Sequence, residues 1–145
     1  MIQRTIRTAI LALTIGAPAA IPSLVLAQSP PCRQEALAGL YVFSASGHTL
    51  VAGVAVPKAI VEVIRFNGDG TLSVESATVS INGIITQVPH GGTGLYTVDA
   101  SCRGTLTFTP GPDFDLVASP LGRQAWLIQT NPNNIFRGVV EKIAQ

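Results

Sequence analysis

A chain of 145 residues with nine Lys and Arg against eight Asp and Glu, and a formal charge of +1, is a poor candidate for nucleic acid. Phosphate-backbone binding needs clustered cations, and these are scattered. Only 12% of the residues are charged and 47% are hydrophobic, so any strand edge left open would invite aggregation.

At the start of the chain, Arg4 and Arg7 precede an apolar stretch from Ala9 that ends at Val25-Leu26-Ala27. This is the pattern of a secretory signal peptide, with cleavage expected after Ala27. Gly16, Pro18 and Pro22 interrupt the stretch, which is too broken for a membrane span of ~20 consecutive apolar residues. Gln28-Ser29-Pro30-Pro31 separates Ala27 from Cys32, so no cysteine stands where a lipoprotein would carry its lipid. The expectation is a secreted or periplasmic protein without a membrane anchor after cleavage. Residues 28–145 form a single domain carrying seven Lys and Arg against eight Asp and Glu, long enough to close one core.

Export also bears on the two cysteines, Cys32 and Cys102. Two lone thiols in an oxidising compartment suggest one disulfide, and closing so long a loop would stabilise the fold by roughly 4 kcal/mol on a chain-entropy argument. The alternatives are free thiols or a reactive cysteine, and no CxxC or metal-ligand spacing supports a metal site.

Cys32–Leu37 is expected to make one short helical turn. Beyond it, strand-like runs recur every ten or so residues with Gly, Pro, Asn and Asp between them. They are Leu40–Ala45, Leu50–Val56, Ala59–Phe66, Thr71–Ile81, Ile84–Val88, Gly94–Val98, Gly104–Thr109, Phe114–Ala118, Gln124–Thr130 and Ile135–Ile143. Asn67-Gly68-Asp69-Gly70 and Asn82-Gly83 supply the residues that accept positive φ in tight turns. From Gly94 to Phe108 two alternating runs flank a polar turn that holds Cys102, and Leu106 and Phe108 face away from Thr105, Thr107 and Thr109, the period-two pattern of a hairpin with one wet face.

Strands in series joined by short turns predict an all-β fold, an antiparallel meander closing into a small barrel of about eight strands, with a β-sandwich as the alternative. Closure would pair the Leu40–Ala45 run with the Ile135–Ile143 run and remove the open edges. Gly39-Leu40-Tyr41-Val42-Phe43 is echoed in Gly94-Leu95-Tyr96-Thr97-Val98, and Asp69-Gly70-Thr71-Leu72 in Arg103-Gly104-Thr105-Leu106; shared hairpin chemistry suffices to explain this.

Those segments, with Phe66–Gly70, Phe114-Asp115, Gly122-Arg123 and Ile128–Pro132, resemble a group of exported bacterial β proteins to which no activity is assigned. The resemblance spans nearly all of the domain and implies fold and compartment. Gly39-Leu40-Tyr41 is similar to the Gly-x-Trp that opens lipocalins, with Tyr in place of Trp and the other lipocalin motifs absent. The strand pattern resembles allene oxide cyclase barrels, so the architecture implied is calycin-like.

For chemistry, Glu62 shares a face with Ile60, Ile64 and Phe66. Turned inward, it is a carboxylate in an apolar lumen with a raised pKa, a general acid or a ligand anchor; if Val61 and Val63 point inward instead, it is solvated. Tyr41, Tyr96 and Trp126 are candidates to line a ligand pocket, since each joins a large apolar ring to a polar tip, and each is equally suited to ordinary core. Arg137 is a candidate to stack on Tyr41 or else a surface residue. Asp113 and Asp115 share one face of a strand, a paired-carboxylate arrangement or simply a solvated edge. His48 and His90 have no ligand-spaced partners, and His90-Gly91-Gly92 lacks the G-x-S-x-G that an oxyanion loop would serve.

Three classes follow: a non-enzymatic barrel binding a small apolar or amphipathic ligand, a lumenal isomerase- or cyclase-like enzyme, and a structural or adhesive surface module with a filled core. The first is the reading adopted from sequence, with no cofactor and no metal called for.

Overall fold

The computed structural model describes residues 30–145; the expected leader, Met1–Ala27, and its cleavage site lie outside the described residues. After a short 3-10 helix, Gln34–Leu37, come nine strands: β1 Gly39–Val51, β2 Val54–Phe66, β3 Thr71–Ile81, β4 Ile84–Val88, β5 Gly92–Tyr96, β6 Arg103–Thr109, β7 Asp113–Ala118, β8 Gln124–Gln129 and β9 Asn134–Ala144. The expected helical turn is present. Every strand pairing is antiparallel.

The long strands β1 and β2 correct one expectation. A strand was expected over Leu50–Val56, but a turn lies within that run, with Ala52 at φ 49° and Gly53 at φ 81°. Positive φ at both central residues makes a two-residue hairpin turn whose twist matches that of the strands. The full ladder, Gly39 opposite Phe66 to Val51 opposite Val54, holds Ala52 in a backbone region that alanine alone avoids.

Eight strands close into a barrel. β9 bridges β8 and β1, so the last strand pairs with the first over Leu40–Thr49 and Asn134–Ala144. β3 divides its pairing: Thr71–Val74 lie against β5 and Ala77–Ile81 against β4. The change follows a register shift between Val63 and Ile64 in the β2–β3 ladder, where Glu75 is the extra residue, a bulge of the kind that re-aims a strand. β4 thereby lies outside the closed barrel as a ninth strand.

Inside, alternation works as the period-two pattern requires. Tyr41, Phe43, Ile64, Phe66, Leu72, Tyr96, Leu106, Phe114, Leu116, Leu127, Phe136 and Val140 are buried. Their rings meet edge to face: Tyr41 on Phe66 at 5.0 Å, Phe66 on Tyr96 at 4.9 Å, Phe43 on Phe114 at 5.7 Å and Phe108 on Phe114 at 6.2 Å between centroids. Such pairs stabilise beyond the area they bury.

One end of the barrel is sealed by the segment that precedes β1. Cys32 and Cys102 form a disulfide across 70 positions of sequence, with Cα atoms 4.9 Å apart. The Tyr41 hydroxyl donates to the Gly122 carbonyl. The Tyr96 hydroxyl accepts from the Gly68 amide at 3.0 Å and donates to the Gln34 carbonyl at 3.3 Å. Lys142 Nζ reaches the Ala38 and Ala36 carbonyls at 2.6 and 3.3 Å. Gly68 and Gly70 hold positive φ, as their turn demands.

Candidate functional site

The four residues singled out as ligand contacts divide between two sides of the wall. Glu62 stands on the inner face of β2, 7% exposed. The β2 ladder decides this, because Ile64 and Phe66 on the same face are core residues while Val61 is exposed. Glu62 lies opposite Phe43 on β1 and Ala77 on β3, and the same row continues through Val140 and Ala125 to Ala118. With apolar neighbours on all sides, burial alone pushes its pKa up to about 7.

Tyr41 and Tyr96 also face inward, but their hydroxyls are occupied by the chain itself, in the bonds to Gly122, Gln34 and Gly68. Burial raises the pKa of both, so both remain neutral donors at ordinary pH. Their structural position is that of clamps on the sealed end. Gln129, which sequence reasoning missed, is buried at the opposite end of β8; its Nε2 donates to Asn131 at 3.1 Å while Oε1 has no partner among the described residues.

Trp126 occupies the outer wall instead, 51% exposed, and the pocket it lines is separate from the tyrosines. It pairs with Val117 on β7 and Val139 on β9. The outward row runs Arg103, Val117, Trp126, Val139, Ser44, Val61 from β6 to β2. The adjacent row runs Thr105, Asp115, Ile128, Arg137, Ser46, Ala59. Together they border a groove of about 1100 Å³. Its middle is low because Ser44, Ser46 and Ala59 put little side chain above the sheet, while Trp126, Ile128 and Val117 supply exposed apolar surface.

Arg137 is one of the groove residues, which corrects its expected stacking on Tyr41. Strand alternation puts Arg137 outside and Tyr41 inside; the cation over the Tyr41 ring is Lys142, 5.4 Å from its centroid. Asp113 and Asp115 do share the outer face of β7, yet they do different things. Asp113 accepts from Asn131 Nδ2 at 3.0 Å, whereas Asp115 enters the groove. Among the described residues no group of three His, Cys, Asp or Glu side chains comes together as a metal site would need.

Comparison with known protein families, curated proteins and solved structures finds no match. The reading of function therefore rests on the two walls of the barrel. The inner wall is apolar and aromatic with one uncompensated carboxyl. The outer wall carries an open groove in which an indole, three aliphatic side chains and charges of both signs are presented to solvent.

Proposed function

We propose that this protein is an exported, non-enzymatic binding barrel that takes a small amphipathic ligand on its outer wall, in the groove around Trp126. The observation that carries the reading is the half-exposed indole flanked by exposed Val117 and Ile128 within one groove that also exposes Val61 at its far side. Contiguous apolar exposure of this kind marks binding surfaces, because water is displaced from it at a gain in free energy. The edge-to-face packing of Phe43, Phe66, Phe108 and Phe114 across the interior favours the outer wall over the lumen. The disulfide supports export, since such bonds persist in oxidising compartments. No helix among the described residues is long and apolar enough to cross a membrane.

A second reading, an acid/base enzyme working inside the barrel, draws on the raised pKa of Glu62. It requires a substrate within hydrogen-bond reach of that carboxyl, where the neighbours are Phe43 and Ala77.

The experiment is an NMR titration of the ¹⁵N-labelled domain with a library of amphipathic fragments. Amide shifts are expected to cluster at Ser44–Ser46, Asp115–Val117, Trp126–Ile128 and Arg137–Val139. Shifts centred on Glu62, Phe43 and Ala77 would favour the lumenal reading and overturn this one.

A further inference from the structure

Two features of the groove, beyond its apolar floor, narrow the chemistry of its ligand. Asp115 on β7 and Arg137 on β9 stand opposite Ile128 on either side of it. Both are diagonal neighbours of Trp126, two positions along from its direct partners Val117 and Val139, close enough for long side chains to reach over it. An acceptor and a multiple donor thus stand on either side of Ile128, beside the exposed aromatic face of Trp126 and two strand spacings apart, roughly 9–10 Å. Neither takes part in an ion pair among the described residues, where the pair present is Arg65 with Glu75.

We infer that the amphipathic ligand is a saccharide chain, with one pyranose ring lying on Trp126 between Asp115 and Arg137. This rests on the groove being the binding surface. A pyranose has an apolar C–H face that covers an indole, and a rim of hydroxyls that both donate and accept. Asp115 takes the donated hydrogens, and the Arg137 guanidinium donates from a planar fork to oxygens on the opposite edge. The opposite charges on the two sides complement such a rim. A fatty acid or alkyl sulfate suits them less: its anionic head pairs with Arg137 or with Arg103 at the β6 side of the groove, but its chain offers no hydrogen to Asp115, which stays unpaired. The groove continues from Trp126 past Val139 and Ser44 to Val61, three further strands of open wall with hydroxyl side chains at Ser44 and Ser46, so a chain of several sugars is accommodated rather than a single ring.

Trp126 is the one tryptophan in the sequence, so its fluorescence reports occupancy of this groove directly. The intact disulfide-bonded domain is titrated separately with gluco-, manno-, galacto-, xylo- and chito-hexasaccharides and with monomeric laurate. At least one hexasaccharide is expected to shift the emission to the blue. Its affinity should fall at least tenfold in both Asp115→Ala and Arg137→Ala, with far-ultraviolet circular dichroism of the variants unchanged. A shift with laurate and with none of the saccharides overturns the saccharide inference and leaves the groove standing as the binding surface. Saccharide binding that survives in both variants also overturns it. Silence from saccharides and laurate alike counts against both readings.

Discussion

Glu62 stands directly opposite Phe43 in the β1–β2 ladder, on the inner wall of the barrel, so a carboxyl shares its surroundings with an aromatic ring rather than with water. Its pKa in the fold is raised from 4.5 to about 7. An acid whose pKa is higher in the folded state binds its proton more tightly there, and folding then favours protonation. The stability it adds is fully present below pH 4.5, the unfolded value, and is lost as pH rises through about 7. A shift of that size corresponds to about 3 kcal/mol.

Urea denaturation should therefore show higher stability at pH 5 than at pH 8. Glu62→Gln, which keeps the shape and removes the titration, should flatten the profile. A wild-type profile unchanged between these pH values would place the carboxyl in contact with water.

The sealed end gives a second expectation. With the disulfide spanning 70 positions, Cys32→Ser with Cys102→Ser should lower the unfolding free energy by about 4 kcal/mol. Peptide mapping without reductant should show the two cysteines linked in the purified protein. Tyr96→Phe should cost a further ~1–3 kcal/mol, since the Gly68 amide then loses its acceptor in a partly buried site.

The turn after β2 offers a third. Gly70 has φ 95°, and a Cβ there would stand 2.7 Å from Gln34 Nε2. Replacing Gly68 and Gly70 together by Val should cost more than ~1 kcal/mol through backbone strain alone, seen as a lower melting temperature. An unchanged melting temperature would contradict the turn geometry.

Closure of the barrel gives a fourth. β9 holds β8 and β1 together, so deleting Ile135–Gln145 exposes two edges and opens the core around Phe136 and Val140. The truncated protein should aggregate or fail to unfold cooperatively. A soluble truncation with a sharp thermal transition would mean that β9 is dispensable.

The eight-strand closure was legible because the evidence for it is local: alternation in Leu106–Phe108, glycine and asparagine at the turns, and strand pattern sustained to Ile143. Where a local signal was missing, the reading failed. Ala52 carries no turn signature, since it is the surrounding ladder that forces its φ, and so the sequence pattern divides β1 and β2 into three runs. The face of Glu62 was undecided because aliphatic residues occupy both faces of β2 around it. Trp126 and Arg137 face outward by alternation with Ala125 and Leu127 on β8 and with Phe136 on β9. Their meeting with Asp115 depends on the registers of β7, β8 and β9, which no single strand contains. The clamp of Gln34 on Tyr96 links residues 62 positions apart, beyond any spacing rule.

The proposed binding mode puts ligand on the outer wall and leaves the lumen alone. It is tested most directly by comparing Trp126→Ala with Glu62→Gln for binding of the amphipathic fragments that shift the wild-type NMR spectrum. Trp126→Ala should weaken binding at least tenfold, with the fold intact by circular dichroism, because the half-exposed indole stands on the outer wall outside the buried core cluster. Glu62→Gln should bind as the wild type does. Loss of binding in Glu62→Gln with full binding retained in Trp126→Ala would contradict the account and return the ligand to the barrel interior.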